Sequence, residues 1–159
     1  MDKSLVRLQV KALELVEGSP LVRVRLHETE GGREVEIWVG LPEATAIQSH
    51  LDGIEAPRPM THDLVKQLLD MLDVKVIRLV ISEIKNDTYY ALLTIARNGD
   101  VFEADCRPSD GIAIAVRFDA PIFISSTVFD EIDKLRGEKE GGGPNQGSIL
   151  VDRDDTTIH

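Results

Sequence analysis

Three segments near the start of the chain alternate apolar and polar side chains, and this alternation restricts the fold more than any other feature. The segments are residues 5–14, 21–27 and 34–39. A period of two is typical of a β-strand with one buried and one solvent-exposed face. Glycine-containing stretches at residues 18–20 and 30–32 supply short turns between them. The pattern therefore predicts an antiparallel meander of three strands.

A second meander is predicted in the middle of the chain. Residues 74–84 are apolar at both odd and even positions, which is typical of a central strand covered on both faces. Asn86-Asp87 and Asn98-Gly99 are hairpin signals. They lead into apolar segments at residues 88–96 and 101–106, so we expect two further antiparallel strands there.

Helical periodicity marks four other segments, near residues 42–53, 61–72, 108–117 and 126–136. The second of these helices is expected to turn five apolar side chains toward the core: Leu64, Val65, Leu68, Met71 and Leu72. The short apolar segment 121–124 predicts an edge strand. The sequence therefore predicts an α+β fold, in which two antiparallel β-meanders form the sheet and helices pack against it.

The length of 159 residues supports a single compact domain. We place this domain at residues 1–136, because residues 137–159 are rich in glycine and acidic side chains and predict a flexible tail. The lone Cys106 cannot form an intramolecular disulfide, and neither a signal peptide nor a membrane span is recognisable. A cytoplasmic location without a membrane partner is the expectation.

The formal net charge of -10 restricts the functions that are compatible with the chain. A protein that grips nucleic acid over a broad surface usually carries an excess of lysine and arginine. This chain has 28 acidic and 18 basic residues. Contact with nucleic acid therefore requires a local basic patch or a bound divalent cation.

The polar side chains that are the best candidates for catalysis or binding lie at two predicted helix starts, residues 58–63 and 107–110. Each places Arg-Pro before a helix, then a hydroxyl side chain, then an aspartate in the first turn. The first turn of a helix leaves backbone N–H groups unpaired and carries a partial positive charge, so Thr61 and Ser109 are the predicted N-caps. Ordinary capping explains these residue types. Their density also offers acid, base, cation and hydroxyl groups that a compact domain can bring together.

The order of several short motifs makes the chain resemble the bifunctional nuclease domain of bacteria and plants, a family named for activity on both DNA and RNA. The resemblance covers roughly residues 8–135 and rests on residues 37–40, 43–47, 57–64, 88–91 and 107–115. It implies a compact α+β domain that assembles as a homodimer or higher homo-oligomer and uses a groove as its active site. The groove residues that it implies are Glu43, Arg58, Thr61, His62, Asp63, Arg107, Ser109 and Asp110.

For a nuclease, these residues divide into three roles. His62 is the acid or base, since histidine exchanges protons near neutral pH. Asp63 and Asp110, with Glu43, are candidate metal ligands or carboxylates that orient the base, with Mg²⁺ or Mn²⁺ as the candidate cofactor. Phosphate oxygens would be bound by arginine and hydroxyl groups: Arg58, Arg107, Thr61 and Ser109. Because of the net charge, we expect binding of the nucleic acid to be weak and salt-sensitive.

Two other interpretations remain open at this point. The domain could be a non-catalytic binding or regulatory module that holds a small phosphorylated ligand or a partner protein segment at the two Arg-Pro helix starts. A small anion needs only a local patch, whereas a long polynucleotide feels the whole negative field. Alternatively, the Arg–Asp pairs are purely structural and the oligomer is the functional unit.

Overall fold

A computed structural model describes residues 4–140, and the predicted tail beyond Glu140 lies outside the described residues. The strands are β1 Leu5–Leu15, β2 Val22–Glu28, β3 Glu34–Val39, β4 Lys75–Lys85, β5 Thr88–Arg97, β6 Asp100–Cys106 and β7 Ile122–Ser125. The helices are α1 Leu41–Leu51, α2 Thr61–Met71, α3 Pro108–Arg117 and α4 Ser126–Glu140. Among these helices, none combines the length and the apolar character needed to span a membrane.

All seven strands form one sheet in the order β3-β2-β1-β7-β4-β5-β6. The α+β prediction is confirmed, and both meanders are antiparallel as expected. The expectation that residues 121–124 form an edge strand is wrong. β7 lies in the middle of the sheet, antiparallel to β1 and parallel to β4, and so joins the two meanders. Its side chains Ile122 and Ile124 are buried in the core, which explains its apolar composition.

Helix α3 lies at the centre of the helical layer. It packs against α1 and α2 and also contacts β4 and β5. The residues from Ile112 to Ala115 are all buried. Gly111 permits this close packing, because a Cβ atom there would lie 2.4 Å from Leu79 Cδ1. This close packing fixes the first turn of α3 next to helices α1 and α2.

Helix α2 differs from its prediction. None of its residues is buried, and of the five apolar side chains assigned to the core only Val65 packs against it. The other four are between 47% and 72% exposed: Leu64, Leu68, Met71 and Leu72. Their spacing places them on one helix face, which we call the α2 stripe. The prediction is wrong because amphipathic spacing shows that an apolar face exists and not which surface covers it.

Candidate active site

Three carboxylates occupy the same position in three different helices. Glu43 in α1, Asp63 in α2 and Asp110 in α3 are each the third residue of their helix. Carboxylates are favoured there because the first turn has unpaired N–H groups and the positive end of the helix dipole. Helix-start chemistry therefore explains why acidic groups occur at these places, and their contacts distinguish what each one does.

The predicted N-caps are wrong. Met60 caps α2 and Arg107 caps α3, both with extended backbone, so Thr61 is the first helical residue of α2 and Ser109 the second of α3. Proline is favoured at the first helical position because it lacks an N–H and has a fixed φ, and Pro108 therefore moves the cap back to Arg107. Ser109 is 2% exposed, and its buried Oγ has no hydrogen-bond partner within the described part of the chain.

Four of the predicted site residues form a continuous hydrogen-bonded cluster, which we call the dyad cluster. His62 Nε2 lies 2.9 Å from Asp110 Oδ1, and Arg107 Nε donates to Asp110 Oδ2 at 2.9 Å. The Arg107 Nη2 group donates to Glu43 Oε1, also at 2.9 Å. The cluster thus connects the starts of α1, α2 and α3 through side chains alone.

The hydrogen bonds of the dyad cluster indicate which ring nitrogen of His62 donates. The hydrogen bond from His62, followed by that from Arg107, lowers the pKa of Asp110 against the opposing effect of burial. An ionised carboxylate can only accept, so Nε2 of His62 must donate to it. In the neutral ring Nδ1 is then an unprotonated acceptor, and it has no hydrogen-bond partner among residues 4–140. The hydrogen bond to Asp110, followed by that to Glu43, raises the pKa of Arg107.

Asp63 belongs to a different set of contacts. Its Oδ2 accepts the backbone N–H of Met60 at 3.0 Å, and its Oδ1 accepts from Arg117 Nε at 2.9 Å. The first of these bonds, followed by the second, lowers the pKa of Asp63. Arg117 is 4% exposed and also donates to the Ala113 carbonyl. The sequence analysis missed Arg117, and the only signal for it is a cation at the end of an otherwise apolar helix.

Arg58 is not brought into either set of contacts. It is exposed in the connector between α1 and α2, and its side chain has no ion pair or hydrogen bond within the described residues. Thr61, also exposed, lies beside the same connector and faces the groove. The similar sequences of the two Arg-Pro segments therefore lead to different structures.

A groove of about 780 Å³ runs between α1, α2 and their connector. His62, Asp63 and Arg117 line it, so both sets of contacts reach its wall. Half of the other lining residues are apolar: Leu41, Pro42, Ala46, Ile54, Ala56, Pro59 and Met60. The other half are polar or charged: Thr45, Ser49, His50, Glu55, Thr61, Lys66 and Gln67. Asp110 reaches the groove through His62, which is only 12% exposed. The arrangement can hold an amphipathic ligand and can move a proton at His62 Nδ1.

The donor set does not fit a divalent cation held by the protein alone. Asp63 is bonded to Arg117, whereas Asp110 is bonded to His62 and Arg107. Within residues 4–140, no three His, Cys, Asp or Glu side chains are grouped so that they could hold a metal ion. Hard cations require several oxygen ligands directed at one point. We therefore derive no step through a metal.

Comparison with known proteins identifies the class to which this fold and site belong. The sequence model of the Bifunctional nuclease domain matches residues 24–135, and the chain belongs to this family. An uncharacterised protein of Mycobacterium tuberculosis is 36% identical over 130 residues, which are 82% of this chain and 76% of the relative. Bifunctional nuclease 1 of Oryza sativa subsp. japonica is 29% identical over 133 residues, or 74% of this chain and 40% of the rice protein. Bifunctional nuclease 1 of Arabidopsis thaliana is 28% identical over 82 residues, or 50% and 25%.

Proposed function

We propose that this chain hydrolyses phosphodiester bonds in DNA and RNA, with His62 as the general base. The observation that carries the proposal is the 2.9 Å contact between His62 Nε2 and Asp110 Oδ1 at the wall of the groove. A histidine that is oriented by a partly buried carboxylate is the arrangement by which many hydrolases activate a nucleophile. Membership of the bifunctional nuclease domain family supports phosphodiesters as the substrate class.

The proton path follows from the tautomer. Asp110 accepts the Nε2 proton of His62, so the neutral ring presents Nδ1 as the acceptor for a proton of the attacking water. As Nδ1 takes this proton, the ring becomes an imidazolium next to an ionised carboxylate. Asp110 stabilises that charge and returns the ring to the same orientation after each turnover.

Phosphate contact is assigned to the arginines and to Thr61. Two of the three guanidinium nitrogens of Arg107 are bonded to Asp110 and Glu43, so Nη1 is the nitrogen left to donate to a phosphate oxygen. Arg58 would contribute from the connector as an exposed charge. The buried Ser109 hydroxyl is not open to the groove and would act on the position of α3 rather than on phosphate.

Binding of nucleic acid should be weak and salt-sensitive. The chain carries a formal net charge of -10, and Arg107 and Arg117 are each paired with carboxylates. The attraction for a polyphosphate is therefore confined to a small area around the groove. Association should weaken as the salt concentration rises, with a shallow slope, because a small number of phosphate contacts displaces few counterions.

The test of this proposal is cleavage of a labelled single-stranded oligonucleotide by wild type, His62→Ala and Asp110→Ala. We expect the cleavage rate of each variant to be about 10²–10⁴-fold lower than that of wild type, with a nearly unchanged thermal midpoint of unfolding. His50→Ala is the matched control, because His50 lines the same groove but forms no hydrogen bond or ion pair with a carboxylate within the described residues. Each assay is run with EDTA, Mg²⁺ or Mn²⁺, which measures whether a cation assists. The proposal falls if purified wild type and the double variant show equal residual cleavage.

A second candidate function is a non-catalytic module that binds a phosphorylated ligand or a partner protein. The observation in its favour is that the groove exposes mostly apolar surface and that Arg117, the arginine that lines it, is already paired with Asp63. A thermal-shift screen of nucleotides distinguishes the two. A nucleotide that stabilises wild type, together with no cleavage of the labelled oligonucleotide by wild type under any of the cation conditions, identifies a binding module.

We also propose that the protein forms a homodimer or a higher homo-oligomer through the α2 stripe. Four apolar side chains on one exposed helix face form the kind of patch that marks interaction surfaces. Leu68→Glu should lower the mass measured by light scattering to that of the monomer, whereas Glu131→Lys on exposed α4 should not. Equal masses for wild type and Leu68→Glu would show that another surface, or none, is used.

A further inference from the structure

We infer that the groove beside His62 is a pocket for one unpaired nucleobase, so that the substrate class is single-stranded nucleic acid. The inference rests on the proposed function and adds what the groove would hold. The groove opens between α1, α2 and the connector, and its volume of about 780 Å³ lies within the range of sites for small ligands. A base with its sugar fits such a space, whereas a base pair inside a duplex cannot enter it.

The exposed apolar surface of the lining fits a flat heterocycle, whereas Lys66, a cation in the same lining, is already paired with Asp70. Leu41, Ile54 and Met60 line the groove and are 57%, 63% and 60% exposed, so a bound ring would remove apolar surface from water. Pro42 and Pro59 add further flat apolar surface. Nucleobases bind to proteins largely by stacking between apolar and aromatic side chains, which any base can do.

Polar groups occur where a base needs them. The Ser49 hydroxyl and the Gln67 amide line the same groove and can donate to or accept from the edge of a base. A few polar groups in a largely apolar pocket are the usual composition of a site that binds and orients one small molecule. The composition is less suited to a peptide strand, which would need a row of backbone partners.

The position of His62 connects the groove to the reaction. His62 forms part of the groove wall and is held by Asp110 from behind. A base bound in the groove would bring its own phosphate to the lining that includes His62, and in the proposed tautomer Nδ1 of that ring is the acceptor for a proton. Binding of the base would then select the scissile phosphate in a strand that is otherwise attracted only weakly.

The test measures binding without cleavage. Adenosine 5′-monophosphate and uridine 5′-monophosphate are each compared with ribose 5-phosphate by titration calorimetry. We expect both nucleotides to bind wild type at least roughly tenfold more tightly than the base-free phosphate, since burial of the base is the difference between them. Thr45→Trp, which fills the groove from an exposed position on α1, should remove this preference. Glu131→Trp on α4 is the matched control and should keep it.

The inference is overturned if nucleotides and ribose 5-phosphate bind equally or not at all, or if Thr45→Trp keeps the preference. A change of oligomeric mass in Thr45→Trp would also overturn it, because the groove would then be a contact between copies. A failure of the proposed function can be distinguished from a failure of this inference. If His62→Ala cleaves as wild type does while the preference for nucleotides persists, the base pocket stands and the catalytic assignment falls.

Discussion

The two Arg-Pro helix starts have nearly the same residue order, but their arginine and aspartate side chains have different partners. At the start of α3, Arg107 is the N-cap and lies three residues before Asp110, close enough to donate to it at 2.9 Å. At the start of α2, Arg58 lies five residues before Asp63 and remains exposed, and the partner of Asp63 is the buried Arg117 from the far end of α3.

The difference shows how two additional residues between the arginine and the aspartate change the role of the carboxylate. Asp110 uses both oxygens for side chains of the dyad cluster, whereas Asp63 uses one for the Met60 N–H of its own helix cap. We therefore assign Asp110 to the reaction and Asp63 to stability. The predictions below test this division, beginning with the largest effect.

Asp110→Asn should reduce the rate of cleavage by about 10²–10⁴. The amide no longer provides an ionised acceptor for both His62 and Arg107, so the ring loses its fixed tautomer and the imidazolium loses its counter-charge. Initial rates on a labelled oligonucleotide measure the effect. Asp105→Asn, an exposed carboxylate on β6, is the control and should leave the rate unchanged. A rate within twofold of wild type for Asp110→Asn would contradict the assignment, because orientation by a carboxylate is worth far more.

Asp63→Asn should act on stability instead, lowering the free energy of unfolding by about 1–2 kcal/mol. The substitution leaves the Arg117 guanidinium, 4% exposed, without its charged partner. The estimate is reduced because Asp63 itself is 38% exposed. Urea unfolding measures the change. Adding Arg117→Met should recover part of the loss, because it removes the uncompensated charge. A large loss of cleavage without a loss of stability would reverse the roles of the two aspartates.

Substitution of Arg107 and of Arg58 by lysine should change the cleavage rate by different amounts, and both changes should be smaller than that of Asp110→Asn. Arg107→Lys is expected to lower the rate about tenfold, since one ammonium cannot reproduce the guanidinium that bridges Asp110 and Glu43. Arg58→Lys keeps an exposed charge and should change the rate less than about twofold. Steady-state kinetics separate the two. Equal losses would show that Arg58 moves into the cluster when substrate binds.

The smallest effect is on the pH dependence of stability. The pKa values of Asp63 and Asp110 are both lowered from the ordinary value of 3.8. Their contribution is therefore present above that value and is lost as the pH falls through the pKa of each folded-state carboxyl group. Wild type should lose free energy of unfolding between pH 5 and about pH 3, and Asp63→Asn should lose less over the same interval. If the free energy of unfolding falls equally with pH in the two proteins, the hydrogen bonds of Asp63 do not stabilise its ionised form.

The sequence predicts much of the fold because alternation and hairpin signals are local. The β1–β3 and β4–β6 meanders follow from them. The position of β7 could not be predicted in this way, since pairing of Ile122–Ser125 with two distant strands depends on contacts that a short apolar segment does not encode. The same limit applies to the α2 stripe, whose spacing indicates an apolar face and not its partner.

The part of the candidate site that lies at helix starts could be predicted from the sequence. His62, Asp110, Arg107 and Glu43 were expected together, and the structure joins them by hydrogen bonds. Arg117 was missed because its role depends on the packing of α3 against α2, which brings residues far apart in the chain into contact. The prediction of Ser109 as a cap is wrong because proline at the first helical position of α3 moves the cap to Arg107. The prediction of Thr61 is wrong because Asp63 accepts the backbone N–H of Met60, which is the cap of α2.

In the proposed mechanism Asp110, and not Asp63, fixes the tautomer of His62. Nitrogen-15 NMR of the histidine rings in wild type, Asp110→Asn and Asp63→Asn measures which ring nitrogen carries the proton. We predict that the neutral His62 ring of wild type and of Asp63→Asn is protonated at Nε2 and unprotonated at Nδ1, and that Asp110→Asn loses this preference. A wild-type ring protonated at Nδ1, or an unchanged preference in Asp110→Asn, would contradict the account.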